Sequence, residues 1–407
     1  MVNISITKHA QIARTDLIIP LQMLQVRHNA IMIAKRHAQN LVIIIIIVVT
    51  KKDKSNDNSI PFYYLSEKIC NLQNETKICY RKINVSYEHY IFNLSENVVR
   101  THVSYKNRYG IKISADLYTP KNMILENKYS GLVIGPPFGG VKEQGPGVYA
   151  NQLAQRGFIA LAFDPSFNGE SGGEFRKIAS TDIFVEDFSA GVDYLGNLSY
   201  INRERIGAIG ICASGGFVLG ATAIDKRIKA VVTSAMYDIP GFGNNVEHNT
   251  WLSNVESLKK SRWNDVDKGL QEYIPSYESD IVYVDDSIPP QPEGDQTANY
   301  IEWHTFYSNE RGHHPRATGG ATSTSSFSLN NFPATYHIDK ISPRPILFIT
   351  GDIAHSKSFS QNAYNAASEP KEIYEVSGNT MHIDLYDDVS KIPFDKIENF
   401  FKKNLID

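Results

Sequence analysis

From about residue 97 onward, short apolar runs alternate with segments of helical periodicity, and this alternation strongly restricts the possible folds. Helical spacing between two such runs is clearest in Phe184, Phe188 and Val192. Strands that alternate with helices build right-handed βαβ units, so we predict an α/β fold with a mostly parallel central sheet flanked by helices. The predicted buried strands are residues 131–134, 158–163, 206–211, 230–234 and 346–350.

Further elements are predicted before and after this alternation of strands and helices. Residues 98–105 and 111–118 are predicted to be two antiparallel strands joined by a tight turn. Apolar residues at helical spacing across 394–405 predict a terminal amphipathic helix. The predicted α/β core therefore consists of residues 97–236 and 339–407.

The stretch 237–338 interrupts the alternation. It contains a Pro-rich turn near 288–292, a polar run at 318–326, and all three tryptophans of the chain, Trp251, Trp263 and Trp303. Ligand pockets in open α/β sheets lie outside the carboxyl ends of the strands. We therefore predict that residues 237–338 form a cap inserted over those strand ends.

Residues 1–96 are predicted to be an N-terminal extension with a short apolar run and a linker. The run at 41–49 is flanked by basic residues and is too short for a membrane-spanning helix, which needs about 20 residues. It could be a secretory h-region, but no A-x-A-like cleavage site follows it. We expect a cytoplasmic protein; the alternative is secretion or anchoring through 41–49, the one segment where membrane contact is expected.

Composition narrows the classes of partner. Hydrophobic residues make up 42% and charged residues 21%, as in ordinary globular proteins. The 41 Lys and Arg against 44 Asp and Glu give a net charge of −3, so we expect no nucleic-acid partner. Three cysteines in 407 residues do not form a disulfide framework. The composition leaves the oligomeric state open.

Residues 205–220 (RIGAIGICASGGFVLG) are predicted to form a strand, a tight turn and a helix, with Cys212 at the turn. A nucleophile on such an elbow needs small neighbours, because the backbone is strained and tightly packed there. Gly210 precedes the cysteine by two positions and Ser214 follows it by two. A helix N-terminus and a nearby histidine can lower the pKa of a thiol. Cys212 is therefore the predicted nucleophile.

These residues resemble the α/β-hydrolase superfamily, and more narrowly its dienelactone-hydrolase-like branch, which is known for a cysteine at the nucleophile elbow. The resemblance covers about residues 97–405. It is carried by GPPFGG at 135–140, FDPSFNGESGG at 163–173, GICASGG at 210–216, TGDIAHS at 350–356 and NTMHIDLYD at 379–387.

The elbow departs from the family's G-x-S-x-G pattern at two positions. Cys212 occupies the centre, and Ser214 stands where the last glycine is usual. Ser214 is therefore the alternative nucleophile, although it would lie half a turn into the following helix.

The resemblance implies a Cys212–His382–Asp352 triad. His382 follows a predicted strand at 372–376, and the chain order of nucleophile, acid and histidine is that of the fold's triads. His355 is the weaker candidate for the base. Asp352 directly follows the strand at 346–350 and would orient His382.

The acid of this triad has an alternative in the sequence. Many relatives carry the acid two positions after Asp352, where this chain has Ala354, so Asp238 is the substitute. Asp384, which follows His382 by two positions, is interpreted as a residue of the local structure.

Acyl chemistry also requires hydrogen-bond donors for the oxyanion. One predicted donor is the backbone N–H of Ala213, directly after the nucleophile. The second, by resemblance, is the N–H of Phe138 in the GPPFGG loop, with Gly139 as the next choice.

The sequence therefore predicts a cofactor-free enzyme without a metal, because no metal-ligand spacing, phosphate loop or dinucleotide fingerprint is present. The first hypothesis is a hydrolase of ester, lactone or thioester bonds that acts on a small-molecule acyl substrate through an acyl-enzyme. The alternatives are an acyltransferase on the same scaffold and a non-catalytic α/β-hydrolase-fold binding protein.

Overall fold

The structure is a computed structural model that describes residues 30–37, 40–48, 65–73, 76–82, 89–239, 247–274, 281–283, 298–317 and 319–405. The chain divides into two compact units, Met1–Lys82 and Ile83–Asp407. Among the described residues, no helix is both long and apolar enough to cross a membrane.

The first unit contains four antiparallel strands: β1 (Ala30–His37), β2 (Asn40–Val48), β3 (Leu65–Gln73) and β4 (Thr76–Lys82). They pair in chain order. The apolar run at 41–49 lies in β2, except for its last residue, which is outside the described residues. The register of β3 and β4 places Cys70 opposite Cys79.

The second unit holds the remaining strands and the helices. Its strands are β5 (Val98–Lys106), β6 (Lys112–Pro120), β7 (Tyr129–Gly135), β8 (Ile159–Phe163), β9 (Ile201–Ile211), β10 (Ala230–Ser234), β11 (Tyr273–Ile274), β12 (Ile281–Tyr283), β13 (Ala321–Thr322), β14 (Ile346–Gly351) and β15 (Lys371–Val376). Its helices are α1 (Gly145–Gln155), α2 (Thr181–Gly196), α3 (Ser214–Ile224), α4 (His248–Lys268), α5 (Ala298–Tyr307), α6 (Ser326–Leu329), α7 (Lys357–Ala366), α8 (Asp384–Asp387) and α9 (Phe394–Asn404).

An eight-stranded sheet forms the centre of this unit, in the order β15-β14-β10-β9-β7-β8-β6-β5. The strands from β15 to β8 are parallel to their neighbours, whereas β6 pairs antiparallel with both β8 and β5. The prediction of a mostly parallel α/β sheet with an antiparallel pair at its start is confirmed.

The central strands are apolar because helices cover the sheet. Strands β8, β10 and β14 are buried along their whole length. The register aligns Gly135 with Gly210, and Ile211 with Ser234. The carboxyl ends of β7, β9 and β10 therefore meet at one edge of the sheet, and the loops that follow them carry the predicted site residues.

A buried ion cluster anchors the loop after β7 to the insertion. The fully buried Lys142 ammonium lies 2.6 Å from Glu143, 3.2 Å from Asp164 and 2.6 Å from Glu170. Arg316, from the insertion, pairs with Glu143 and lies 3.2 Å from Glu170. Such a cluster is costly to break, because an unpaired charge would remain buried. Asp164 and Glu170, both in the FDPSFNGESGG motif, thus hold the base of the loop that bears Phe138.

Candidate active site

Cys212 stands on a strained elbow between β9 and α3. Its φ angle is +54°, in the left-handed region that costs a side-chain-bearing residue energy. A Cβ on Gly210 would lie 2.1 Å from the carbonyl oxygen of Ser214, so only glycine fits at that position. The sharp turn therefore explains Gly210, the first glycine of the GICASGG motif.

Ser214, the alternative nucleophile, is buried at the first position of α3. Its hydroxyl donates a 2.5 Å hydrogen bond to the carbonyl of Pro136 in the loop after β7. This contact ties the elbow to the loop that carries Phe138.

The thiol of Cys212 is surrounded by hydrogen-bond donors. The backbone N–H groups of Phe138 and Ala213 are bonded to Sγ, and so is the hydroxyl of Tyr386, which donates to the ionised form of the sulfur. The structure thus brings both predicted oxyanion donors to the predicted nucleophile. Burial nevertheless raises the pKa of the Cys212 thiol to about 11, against the lowering effect of these three donors. The thiol is therefore protonated near neutral pH and needs a base.

His382 is completely buried, and both of its ring nitrogens contact hydroxyl groups. Nε2 lies 2.9 Å from the Tyr386 hydroxyl, and Nδ1 lies 2.6 Å from the Ser356 hydroxyl. Burial, and then the neighbouring His355, lower the pKa of His382 well below its ordinary value, so the imidazole is neutral. Tyr386 therefore lies between the Cys212 thiol and the His382 ring and contacts both.

The structure does not bring the Asp352 carboxylate to His382. Asp352 instead accepts backbone N–H groups of Thr380 at 2.6 Å, Ile353 at 3.1 Å and Asn379 at 3.2 Å. Burial opposes ionisation of this carboxyl, but these N–H donors lower its pKa below the ordinary value. Asp352 thus holds the loop that leads to His382.

The two other aspartates that the sequence singled out have different partners. Asp238 accepts a 2.6 Å hydrogen bond from the Thr335 hydroxyl. Asp384 accepts the N–H of Met381 at 3.0 Å and pairs with Lys391. These contacts hold local structure around the site.

The insertion contributes directly to the site through α5. Glu302 lies 2.8 Å from Nδ1 of His355 with one carboxylate oxygen, and its other oxygen accepts the N–H of Ile383 at 2.7 Å. The ring of Trp303 is 5.3 Å from that of His355 and 6.4 Å from that of His382. Helix α5 of the insertion therefore packs against the loops that carry His355 and His382.

Three site residues were missed by the sequence analysis: Tyr386, Ser356 and Glu302. Tyr386 follows His382 by four positions within the NTMHIDLYD motif, and this spacing could have indicated that the two side chains meet. Ser356 and Glu302 carry no local signal, because their partners are 26 and 53 residues away along the chain.

The sequence of this chain is similar to one family model and to several known proteins. The model of the prolyl oligopeptidase family matches residues 148–269. Protein PA2218 of Pseudomonas aeruginosa is 47% identical over 322 residues, which are 77% of this chain and 83% of that protein. Protein YcjY of Escherichia coli is 35% identical over 286 residues, which are 69% of this chain and 90% of that protein.

Solved structures show the same architecture. The crystal structure of PA2218 has a TM-score of 0.72 at 45% identity and covers 78% of this chain and 97% of that one. The α/β hydrolase GrgF from Penicillium sp. sh18 has a TM-score of 0.61 at 19% identity and covers 75% of this chain and 99% of that one, which shows the fold alone.

Proposed function

Because the chain belongs to the α/β-hydrolase superfamily, and is dienelactone-hydrolase-like in its cysteine elbow, we propose that it hydrolyses ester, lactone or thioester bonds through an acyl-enzyme on Cys212. One observation carries the proposal. The Sγ atom receives two backbone N–H groups, from Phe138 and Ala213, while Tyr386 links it to His382. This is the donor and base arrangement that acyl transfer requires.

Acylation begins with removal of the thiol proton. The proton of Cys212 passes to the Tyr386 oxygen as the Tyr386 proton passes to Nε2 of His382. Sγ attacks the acyl carbon, and the N–H groups of Phe138 and Ala213 stabilise the oxyanion that forms. When the intermediate collapses, the leaving group takes a proton back from His382 through the same hydroxyl.

The two pKa shifts fit these roles. A thiol with a pKa of about 11 supplies little thiolate at neutral pH, so attack must be coupled to proton transfer. A neutral His382 can accept that proton, because its pKa is lowered. We assign Ser356, bonded to Nδ1, the orientation of the ring, and Asp352 the positioning of the loop before His382.

Aromatic rings from the core and the insertion favour a partly apolar acyl group. The Tyr237 ring lies 4.5 Å from Phe359 and 5.9 Å from Trp303, and it packs on His382 at 5.4 Å. Apolar walls with a few placed polar groups are typical of small-molecule sites.

The proposal is tested with p-nitrophenyl acetate and S-phenyl thioacetate. We expect a burst of the leaving group, one acetyl adduct on Cys212 by intact-mass and peptide analysis, and steady release of acetate. Turnover that needs an added alcohol, amine or thiol would identify the acyltransferase alternative. Absence of both burst and adduct would support the non-catalytic alternative.

Replacing Tyr386 with phenylalanine tests the bridge between thiol and base. Removing the hydroxyl breaks the proton path while keeping the ring, so we expect kcat/KM for p-nitrophenyl acetate to fall about 10²-fold. The matched control is Tyr364→Phe, whose ring packs on Phe348. Wild-type kcat/KM in Tyr386→Phe would mean that His382 takes the proton from the thiol directly.

A further inference from the structure

A carboxylate–imidazole pair, Glu302 and His355, lies beside His382 and is not used in acylation. Glu302 Oε2 is 2.8 Å from Nδ1 of His355, and the rings of His355 and His382 are stacked with centroids 4.6 Å apart. Both members are largely buried, with side-chain exposures of 10% for Glu302 and 12% for His355. The two imidazoles are therefore direct neighbours, and Glu302 is close enough to the Cys212 thiol to raise its pKa.

The hydrogen bonding of His355 determines which of its nitrogens can act as a base. A carboxylate only accepts hydrogen bonds, so Nδ1 of His355 carries the proton in the contact with Glu302. Nε2 then presents its lone pair. This atom is buried and has no hydrogen-bond partner among the described residues. A buried acceptor without a hydrogen bond costs free energy, unless a ligand or a water molecule donates a hydrogen bond to it.

His382 is less suited to receive a proton from water. Its Nδ1 is bonded to Ser356, and its Nε2 is bonded to Tyr386, which in turn contacts Sγ. Both nitrogens of His382 are therefore already engaged by hydroxyl groups. The open nitrogen of the stacked pair belongs to His355.

We infer that His355, held by Glu302, is the general base that activates water for hydrolysis of the acyl-enzyme. This inference rests on the proposed function. Water forms a bond to the acyl carbon as its proton moves to Nε2 of His355. The C–S bond then breaks, the acid departs, and the Cys212 thiolate regains its proton from His355. No co-reactant other than water is required.

This assignment gives the insertion a chemical role. Glu302 lies on α5, in the interrupted stretch, and its second oxygen accepts the N–H of Ile383, next to His382. One carboxylate thus orients the water-activating base and locks the loop of the acylating base. Hydrolysis of the adduct would then depend on the Glu302–His355 pair, whereas its formation depends on Cys212, Tyr386 and His382.

The test separates formation of the adduct from its hydrolysis. We expect His355→Gln to keep the burst of p-nitrophenolate, to lose about 10²-fold in steady-state rate, and to accumulate acetylated Cys212 in rapid-quench mass spectra. Glu302→Gln, a milder change, should keep the burst as well, with a smaller loss of steady-state rate and less accumulated acetylated Cys212. His337→Gln, at an exposed histidine, is the matched control and should behave as the wild type.

Rescue with a strong nucleophile shows whether the stalled adduct is intact and accessible. Hydroxylamine attacks a thioester without a protein base, so it should restore turnover of acetylated His355→Gln. The inference is overturned if the adduct lifetime in His355→Gln and Glu302→Gln equals that of the wild type, or if both variants lose the burst together with turnover. Failure of the proposed function is distinguishable, because the wild type itself would then form no adduct on Cys212.

Discussion

Cys212→Ala is expected to abolish the acyl adduct and to lower the rate of ester hydrolysis by about 10⁶-fold, the size of loss caused by removing a triad nucleophile in a serine protease. The residual rate would come from binding and from the N–H donors of Phe138 and Ala213. The measurement is intact mass after incubation with p-nitrophenyl acetate, together with the steady-state rate. Cys212→Ser should retain part of the activity, because a hydroxyl depends more strongly on the base.

Ser214→Ala is the control for this experiment. Its hydroxyl donates to the Pro136 carbonyl, so its loss should cost about 1 kcal/mol of stability and a small fraction of the rate. An acyl adduct on Ser214 in the Cys212→Ala protein would contradict the assignment. The elbow register would then be shifted by two residues, and the enzyme would be a serine hydrolase.

His382→Gln should reduce the rate of ester hydrolysis nearly as much as loss of the nucleophile does. Residues that act as one catalytic unit are not additive, so losing one of them removes most of the rate that the unit provides. It should also slow alkylation of Cys212 by iodoacetamide at neutral pH. Burial holds the pKa of the thiol at about 11, and the neutral imidazole that assists its ionisation would be absent. The rates of ester hydrolysis and of alkylation are measured on the same samples.

Asp352→Asn is the matched comparison for His382→Gln. Because its carboxylate binds the backbone of Asn379 and Thr380, we expect a lower melting temperature and less than about 10²-fold loss of activity. Where an acid orients the base directly, its replacement by asparagine lowers kcat by about 10⁴-fold. A loss of that size without a change in melting temperature would restore Asp352 as the triad acid.

The buried strands and the elbow could be predicted because their signals are local. Buried parallel strands must be continuously apolar, and the turn at Cys212 admits only glycine at 210, so both leave a mark in adjacent residues. The loop at 135–140 was recognisable for the same reason: it follows a buried strand directly. Its N–H donor at Phe138 is a backbone group and depends little on side-chain packing.

The choice of acid was harder to predict, because Asp352 stands at the expected position but faces another partner. Its carboxylate is bonded to three backbone N–H groups, a contact decided by the course of the 378–380 loop, where Asn379 has a φ of +56°. Sequence position alone does not indicate whether a carboxylate meets a ring nitrogen or a main-chain amide.

The sequence by itself determined the α/β architecture, the elbow with Cys212, the loop with Phe138 and the chain order that ends in His382. Each of these follows from requirements on neighbouring residues. Only the tertiary structure decided that Tyr386 bridges Cys212 and His382, and that Glu302 from the insertion meets His355. The physical reason is that hydrogen bonds between distant residues depend on how helices and loops pack, and packing leaves no periodic or spacing signal in the chain.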